Sequence, residues 1–135
     1  MDKVQLELIE SYMTKSRDKL AVARELLVRR HLDDAVSRAY YAAFHAAQAA
    51  LLAEGQRAET HRGVVTLVGL LLVKTGRIDK RFGRILANLK DDRETSDYEA
   101  VSFIDEAAAE RAVAEAEDFC DAIREYLANQ NLLRR

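Results

Sequence analysis

The chain has 135 residues, of which 49% are hydrophobic and 33% charged, a profile typical of a globular rather than a disordered protein. Its net charge of −2 gives no general attraction to nucleic acid, so any binding to phosphate requires a local basic patch. Cys120 is the only cysteine, which excludes an internal disulfide and a cysteine-based metal site. The charged N-terminus and the short apolar stretches predict neither a signal peptide nor a membrane span, and hence a soluble cytoplasmic protein.

The composition favours long helices, because the chain contains no proline and only five glycines. Apolar residues at spacings of three, four and seven predict a first helix from about Val4 to Arg30. Asp33 is the predicted N-cap of a second helix that runs to about Ala53, and Gly55 ends that helix as its C′ residue.

The second half of the chain shows three further helical patterns. Thr60 predicts the start of a third, very apolar helix that continues through Val73 and ends at Gly76. A fourth helix ends at Asp92 or continues to Tyr98, and its apolar positions are Ile78, Phe82, Ile85, Leu86 and Leu89. Asp105 is the predicted cap of the last helix, whose buried stripe consists of Ala109, Val113, Ala116, Phe119, Cys120, Ile123 and Leu127.

Five helices joined by short connections predict an all-α fold, an up-down antiparallel bundle. No linker, low-complexity tract or repeat divides the chain, so residues 1–135 are predicted to form a single domain. Residues 70–73 of the third helix are apolar on all sides, which is more than one neighbouring helix can cover. This pattern predicts a homodimer.

A polar stripe follows the second helix. This otherwise apolar, alanine-rich helix carries polar residues at i, i+3, i+7 and i+10, a spacing that places them on one side: Arg38, Tyr41, His45 and Gln48. Polar groups that face a bundle interior need hydrogen bonds, a cleft or a partner. Two interpretations stay open: an internal network that joins helices, or the wall of a pocket in which the arginine binds phosphate and an aromatic ring stacks on a base.

A second group of polar residues lies near the end of the fourth helix. Arg93 comes four residues after the core position Leu89, so in a continuous helix it points inward and needs a carboxylate, for which Asp97 is nearest in sequence. In the structural interpretation, Arg93 and Asp97 form a helix-end ion pair and Tyr98 plugs the end of the bundle. In the functional interpretation, these residues contribute to a binding site.

His61 and Arg62 stand at the start of the third helix. Backbone N–H groups and the positive end of a helix dipole favour anions there, so both side chains are candidates for a phosphate site. Capping of the short helix by Thr60 explains the same residues without a ligand.

The sequence lacks the common catalytic and metal-binding motifs. Its three histidines, His31, His45 and His61, form no HExxH pair, and no nucleophile elbow or Walker loop is present. The carboxylates paired at 33–34 and 91–92 are adjacent in sequence, so their side chains diverge on a helix. We therefore predict neither a metal nor a cofactor and assign no catalytic residue.

The segment DAVSRAYYAAFHAAQ, residues 34–48, resembles the second helix of HEPN domains (higher eukaryotes and prokaryotes nucleotide-binding), above all of their small prokaryotic branch. Further agreement comes from residues 60–64, residues 73–76, and Arg93 followed by Asp97 and Tyr98, so that the resemblance spans residues 15 to 127. It implies a bundle of four to five helices that dimerises and is paired with a minimal nucleotidyltransferase in a toxin–antitoxin-like module. Active members of the family are metal-independent ribonucleases that use an arginine followed after four to six residues by a histidine.

Arg93 matches the family's arginine, but Asp97 and Tyr98 stand where the histidine would follow. An aspartate ionised at pH 7 repels phosphate and is a poor substitute for an imidazole. The leading hypothesis is therefore a partner protein that binds nucleotide or RNA without the standard ribonuclease pair, which weighs against an enzyme. The rival hypotheses are a metal-independent ribonuclease toxin in which His45 or His61 replaces the missing histidine, and a purely structural interaction module.

Overall fold

The structure, a computed structural model, describes residues 1–98, 100 and 104–133. Within these residues the helices are α1 (Lys3–Val28), α2 (Leu32–Ala53), α3 (His61–Val68), α4 (Lys80–Tyr98) and α5 (Glu106–Asn129), and no strand is present. The predicted all-α helical bundle is confirmed. Among the residues described, none of the helices combines the length and the hydropathy that a membrane span requires.

Side-chain caps define the starts of three helices. Asp2 begins α1 with a reciprocal capping box. Thr60 Oγ1 accepts a hydrogen bond from the backbone N–H of Gly63 at 2.9 Å, and Asp105 Oδ1 accepts one from Ala108 at 2.8 Å. The caps that the sequence predicts at Thr60 and Asp105 are therefore confirmed.

The predicted cap of α2 was wrong. The helix begins at Leu32, with His31 in the cap position and no side-chain cap bond, and Asp33 lies in the first turn instead. A carboxylate there is favoured by the helix dipole, so the residue fits the helix start in another role. The predicted end is confirmed: Gly55 has a φ of +74°, and its backbone N–H donates to the carbonyl of Leu52 at 2.9 Å.

The third helix ends at Val73, as predicted, but its last five residues, Gly69–Val73, wind as a π-helix. The wider winding buries Leu72 and leaves Leu70 half exposed. Gly83 of α4 lies directly against this segment, since a Cβ atom added there would be only 3.1 Å from Val73 Cγ2. The absence of a side chain at Gly83 therefore lets α4 approach the π-helical segment closely.

Helix α2 is the central helix and packs against α1, α3, α4 and α5. Its alanines leave little bulk at the contacts, and the register with α1 is marked by Ser16 Oγ, which donates to the carbonyl of Ala42 at 2.7 Å. The same hydroxyl lies 3.2 Å from Cys120 Sγ on α5. Burial raises the pKa of the Cys120 thiol to about 11, in keeping with the buried position predicted for it.

Candidate functional site

Polar and aromatic side chains meet where α2 faces the start of α3 and the second half of α4. The group consists of Tyr40, Tyr41, Phe44, His61 and Arg93, which we name the Arg93 cluster. Three helices contribute to it, so its geometry depends on the packing of the bundle.

Arg93 is the charged centre of this cluster. Only 16% of its side chain is exposed, and Nη2 donates to Tyr41 Oη at 2.9 Å. Its Nε atom lies 2.8 Å from Asp97 Oδ2, but the N–H group does not point at the oxygen, so the contact is an ion pair without a hydrogen bond. The guanidinium carbon also lies 5.3 Å from the ring centroid of Tyr41 and 5.8 Å from that of Tyr40.

Tyr40 and His61 share a short hydrogen bond, with 2.6 Å between Tyr40 Oη and His61 Nδ1. Tyr40 is fully buried, and burial raises the pKa of its phenol, so the proton stays on the oxygen. A buried hydroxyl requires an acceptor, which here is the lone pair of Nδ1. We therefore assign the O–H group as the donor, and the ring proton of His61 to Nε2.

The imidazole of His61 is held neutral. It stacks on Phe44 with 4.3 Å between ring centroids and an angle of 9° between the planes. Burial lowers the pKa of His61, and the positive charges of Arg93 and Lys90 lower it further, while Glu94 opposes the shift. At neutral pH the cluster thus presents an arginine cation beside an uncharged imidazole.

Carboxylates balance the cations at the edge of the cluster. Lys90 Nζ lies 2.5 Å from Glu94 Oε1, one turn along α4, and this hydrogen bond lowers the pKa of Glu94. Arg93 and Asp97 form the equivalent pair in the next turn. An anionic ligand at Arg93 would therefore compete with Asp97.

His45 and Gln48 lie farther along α2, beside the cluster. The ring centroids of Tyr41 and His45 are 6.3 Å apart, and His45 Nδ1 lies 3.0 Å from Gln48 Oε1. Burial lowers the pKa of His45, the hydrogen bond with Gln48 opposes this shift, and the positive charges of Lys15 and Lys19 on α1 add to it. His45 is therefore also neutral at pH 7.

The structure confirms the inward position of Arg93 and its pairing with Asp97. The interpretation of the α2 stripe as an internal network does not hold for Arg38, and the interpretation of Tyr98 as a plug was wrong. Arg38 is exposed, because the polar stripe follows the edge of the buried face of α2, where a long side chain keeps its charge in water. Tyr98 is 76% exposed and does not plug the bundle end. Arg62 is exposed as well, so only His61 of the α3 pair joins the cluster.

The candidate residues derived from the sequence did not include Tyr40, which forms a hydrogen bond with His61, or Phe44, which stacks on it. Their spacing of four residues placed them on one face of α2, but only the position of α3 shows that His61 contacts both. Lys90 was missed too, although its position three residues before Arg93 places it on the same side of α4. Within the described residues, no three His, Cys, Asp or Glu side chains are grouped as a metal ion requires.

Comparison with known proteins gives the family. The family model described as the HEPN domain matches residues 9–126. The chain belongs to the HEPN family. A UPF0332 protein of Thermotoga maritima is 33% identical over 121 residues, which cover 90% of this chain and 92% of that protein. A protein of Methanocaldococcus jannaschii named "Putative toxin" is 36% identical over 121 residues, covering 90% of each chain. A second protein with that name from the same organism is 27% identical over 126 residues, 93% of this chain and 86% of its own.

In this HEPN chain the imidazole beside Arg93 comes from an earlier helix. The residues that follow Arg93 in α4 supply Asp97 as its ionic partner, whereas His61 enters from the first turn of α3. The arrangement brings an arginine and a histidine into one cluster without the sequence spacing that the family resemblance implies.

Proposed function

We propose that this HEPN protein binds a phosphate group of a nucleotide or an RNA at the Arg93 cluster, as part of a toxin–antitoxin-like module in the cytoplasm. The observation that carries the proposal is the mostly buried guanidinium of Arg93, which is oriented by Tyr41 and bordered by aromatic rings. Membership of the HEPN family and two relatives that carry the name "Putative toxin" support the wider assignment.

The chemistry of the cluster suits an anion attached to a flat ring. A guanidinium binds phosphate through several directed N–H groups, and Arg93 Nη2 is already oriented by the hydroxyl of Tyr41. A phosphate at Arg93 would compete with the carboxylate of Asp97, whose contact with Nε is an ion pair without a hydrogen bond. His61 adds an uncharged N–H donor at Nε2, and the ring of Tyr41 offers a partly exposed face to a base.

The protonation states favour binding over cleavage. A general base needs an imidazole lone pair within reach of the substrate. The lone pair of His61 Nδ1 accepts the proton of Tyr40, and the lowered pKa of His61 makes the ring a weak base. The Arg93 cluster is thus arranged to hold an anion, with its histidine acting as a donor.

Ligand affinity in Arg93→Ala tests the proposal. Loss of a hydrogen bond to a charged group costs about 1.5–3 kcal/mol, so we expect binding of AMP or of a short single-stranded RNA to weaken about tenfold to hundredfold. Arg81→Ala is the matched control, because Arg81 also lies on α4, stacks on Phe82 at 4.5 Å and pairs with Asp118. Equal affinities for the wild type and Arg93→Ala, measured by calorimetry, would contradict the proposal.

A ribonuclease that uses His61 is the second candidate, favoured by the proximity of this imidazole to Arg93. Incubation of purified protein with total RNA in EDTA distinguishes the two functions. Cleavage that is lost in His61→Ala and kept in His45→Ala would establish the ribonuclease. The binding proposal requires that the wild type leaves the RNA intact.

We further propose that the protein acts as a homodimer and associates with a minimal nucleotidyltransferase. Leu70, half exposed on the π-helical segment, leaves apolar surface for a second copy. Analytical ultracentrifugation would contradict the dimer if it gave the mass of a single 15.3 kDa chain at all concentrations. Co-expression with a nucleotidyltransferase encoded beside the gene tests the partner, and failure of the two proteins to copurify would refute it.

A further inference from the structure

A strip of aromatic rings leads away from the Arg93 cluster along the groove between α1 and α2. The ring of His45 lies 6.3 Å from that of Tyr41, and the ring of Tyr12, on α1, lies 6.2 Å from His45 in a plane tilted by 22°. All three side chains are partly exposed. Rings with accessible faces stack on nucleic-acid bases without regard to sequence, so the strip is a suitable surface for an unpaired strand.

Two lysines border this strip. Tyr12, Lys15 and Lys19 recur at i, i+3 and i+7, which places them on one face of α1. Both lysines are close enough to His45 for their charges to lower its pKa, after the larger effect of burial. No carboxylate in the part of the chain that the structure describes lies within ion-pair distance of Lys15 or Lys19. Their charges are therefore available to a polyanion.

The strip ends at a cavity of about 220 Å³ between α1, the end of α2 and residues 56–59. Apolar and polar side chains both line it, among them Tyr12, Gln48, Leu51, Leu52, Arg57 and Glu59. Pockets for drug-sized ligands are typically about 300–1,000 Å³. The cavity is thus large enough for one ring system and too small for a complete nucleotide.

Gln48 gives the cavity a directed donor. Its Oε1 atom is held at 3.0 Å by His45 Nδ1, and because an amide oxygen only accepts, the ring proton of His45 is on Nδ1. The amide N–H groups of Gln48 are left to donate to a ligand, and Arg57 supplies further donors. Acceptor atoms on the edge of a base match these groups.

We propose that the groove between α1 and α2 binds single-stranded RNA, with one phosphate at Arg93 and a neighbouring base in the cavity beside Gln48. This inference rests on the proposed function at Arg93 and narrows its ligand to a strand of several nucleotides. Arg93 contacts Tyr41, and the ring of His45 links Tyr41 to Tyr12, so a strand of several nucleotides can contact both ends of the strip at once. The strand is unpaired, since bases stacked inside a duplex cannot stack on protein rings.

Fluorescence anisotropy with a labelled RNA of about eight nucleotides tests the inference, with the same sequence as a duplex and AMP as the comparison ligands. The single strand is expected to bind more tightly than the duplex or AMP. Tyr12→Ala removes one stacking surface and is expected to weaken binding of the strand by about fivefold to hundredfold, while leaving the affinity for AMP unchanged.

The lysines provide a second, independent measurement, since Lys15 is exposed and Lys19 partly exposed. For single strands the slope of log affinity against log salt is about −0.7 for each neutralised phosphate, so Lys15→Gln combined with Lys19→Gln is expected to reduce the steepness by about 1.4. Lys74→Gln combined with Lys80→Gln is the matched control and is expected to leave the slope unchanged. Both lysines are exposed: Lys74 follows the π-helical segment directly, and Lys80 is the first residue of α4.

The measurements distinguish failure of the RNA groove from failure of the phosphate site at Arg93. If Arg93→Ala weakens binding but Tyr12→Ala and the double lysine variant bind the strand as the wild type does, the RNA groove is refuted and the phosphate site at Arg93 stands. If AMP binds as tightly as the strand, the groove is refuted as well. If Arg93→Ala changes no affinity, the proposed function at Arg93 is refuted, and with it the strand placement.

Discussion

Replacement of Tyr40 by phenylalanine tests the protonation states on which the site depends. The substitution removes one oxygen atom, which lies 2.6 Å from His61 Nδ1, and keeps the buried ring and its contacts with Arg93 and Phe44. A hydrogen bond of this kind contributes about 1 kcal/mol net, so we expect the free energy of unfolding to fall by about that amount at pH 7.5. For a chain of this size the melting temperature falls by about 4 °C.

The pKa of His61 is the more diagnostic quantity. A donor at Nδ1 stabilises the neutral ring only, so its removal favours the protonated ring. One kcal/mol corresponds to about 0.7 pKa units, and the pKa of His61 in Tyr40→Phe is therefore expected to rise by about that much. Titration of the imidazole carbon-bound protons by NMR measures the shift directly.

Tyr126→Phe is the matched control, since it removes a phenol that donates to Glu54 at the C-terminal end of α2. It is expected to lower stability while leaving the pKa of His61 unchanged. An unchanged or lowered pKa of His61 in Tyr40→Phe would show that Nδ1 carries the proton and the phenol accepts it. In that case the free lone pair would be on Nε2, and the argument against general-base catalysis by His61 would fail.

Three further outcomes follow from burial and packing. Because burial lowers the folded-state pKa of His45 and His61, the unfolded chain binds more protons below its ordinary histidine pKa of 6.5. The two histidines therefore do not reduce the free energy of unfolding above that pH, and they reduce it as the pH drops below it. Urea unfolding at pH 5.5 and 7.5 measures the difference. Gly83→Val is expected to lower the free energy of unfolding by about 1–3 kcal/mol through overpacking against Val73, seen in the urea midpoint. Ser16→Ala, which loses a buried hydrogen bond to α2, is expected to cost about 1 kcal/mol in the same assay.

Most of the fold could be predicted because the signals that end and begin helices are local. Two of these signals are cap hydrogen bonds to a backbone N–H three residues later, at Thr60 and Asp105, and the third is the positive φ of Gly55. The structure has all three as predicted. The π-helical winding of Gly69–Val73 had no such signal. It accompanies the contact between Val73 and Gly83, which belongs to the packing of two helices.

In the candidate site, too, features set within one helix could be predicted, whereas contacts between helices could not. The inward orientation of Arg93 followed from its spacing of four residues from Leu89 on one helix, and is confirmed. The contacts of His61 with Tyr40 and Phe44 join α3 to α2, so no spacing within either helix contains them. The stripe on α2 gave the positions of its members but not their depth, so it left open whether Arg38 joins an internal network or, as in the structure, keeps its charge in water.

The distribution of charge explains how a chain with a net charge of −2 can offer a basic surface. At the site, the two cations of α4 each have a carboxylate one turn away, Lys90 with Glu94 and Arg93 with Asp97, so this side of the site is nearly neutral and acts through directed contacts. On α1 the charges of Lys15 and Lys19 are not balanced in this way, and they lie beside the rings. Long-range attraction and salt dependence should therefore come from α1, whereas geometric selection of the phosphate comes from Arg93. Comparison of Arg93→Ala with the double lysine variant therefore distinguishes a groove that positions a phosphate from a surface that attracts nucleic acid only through its positive charge.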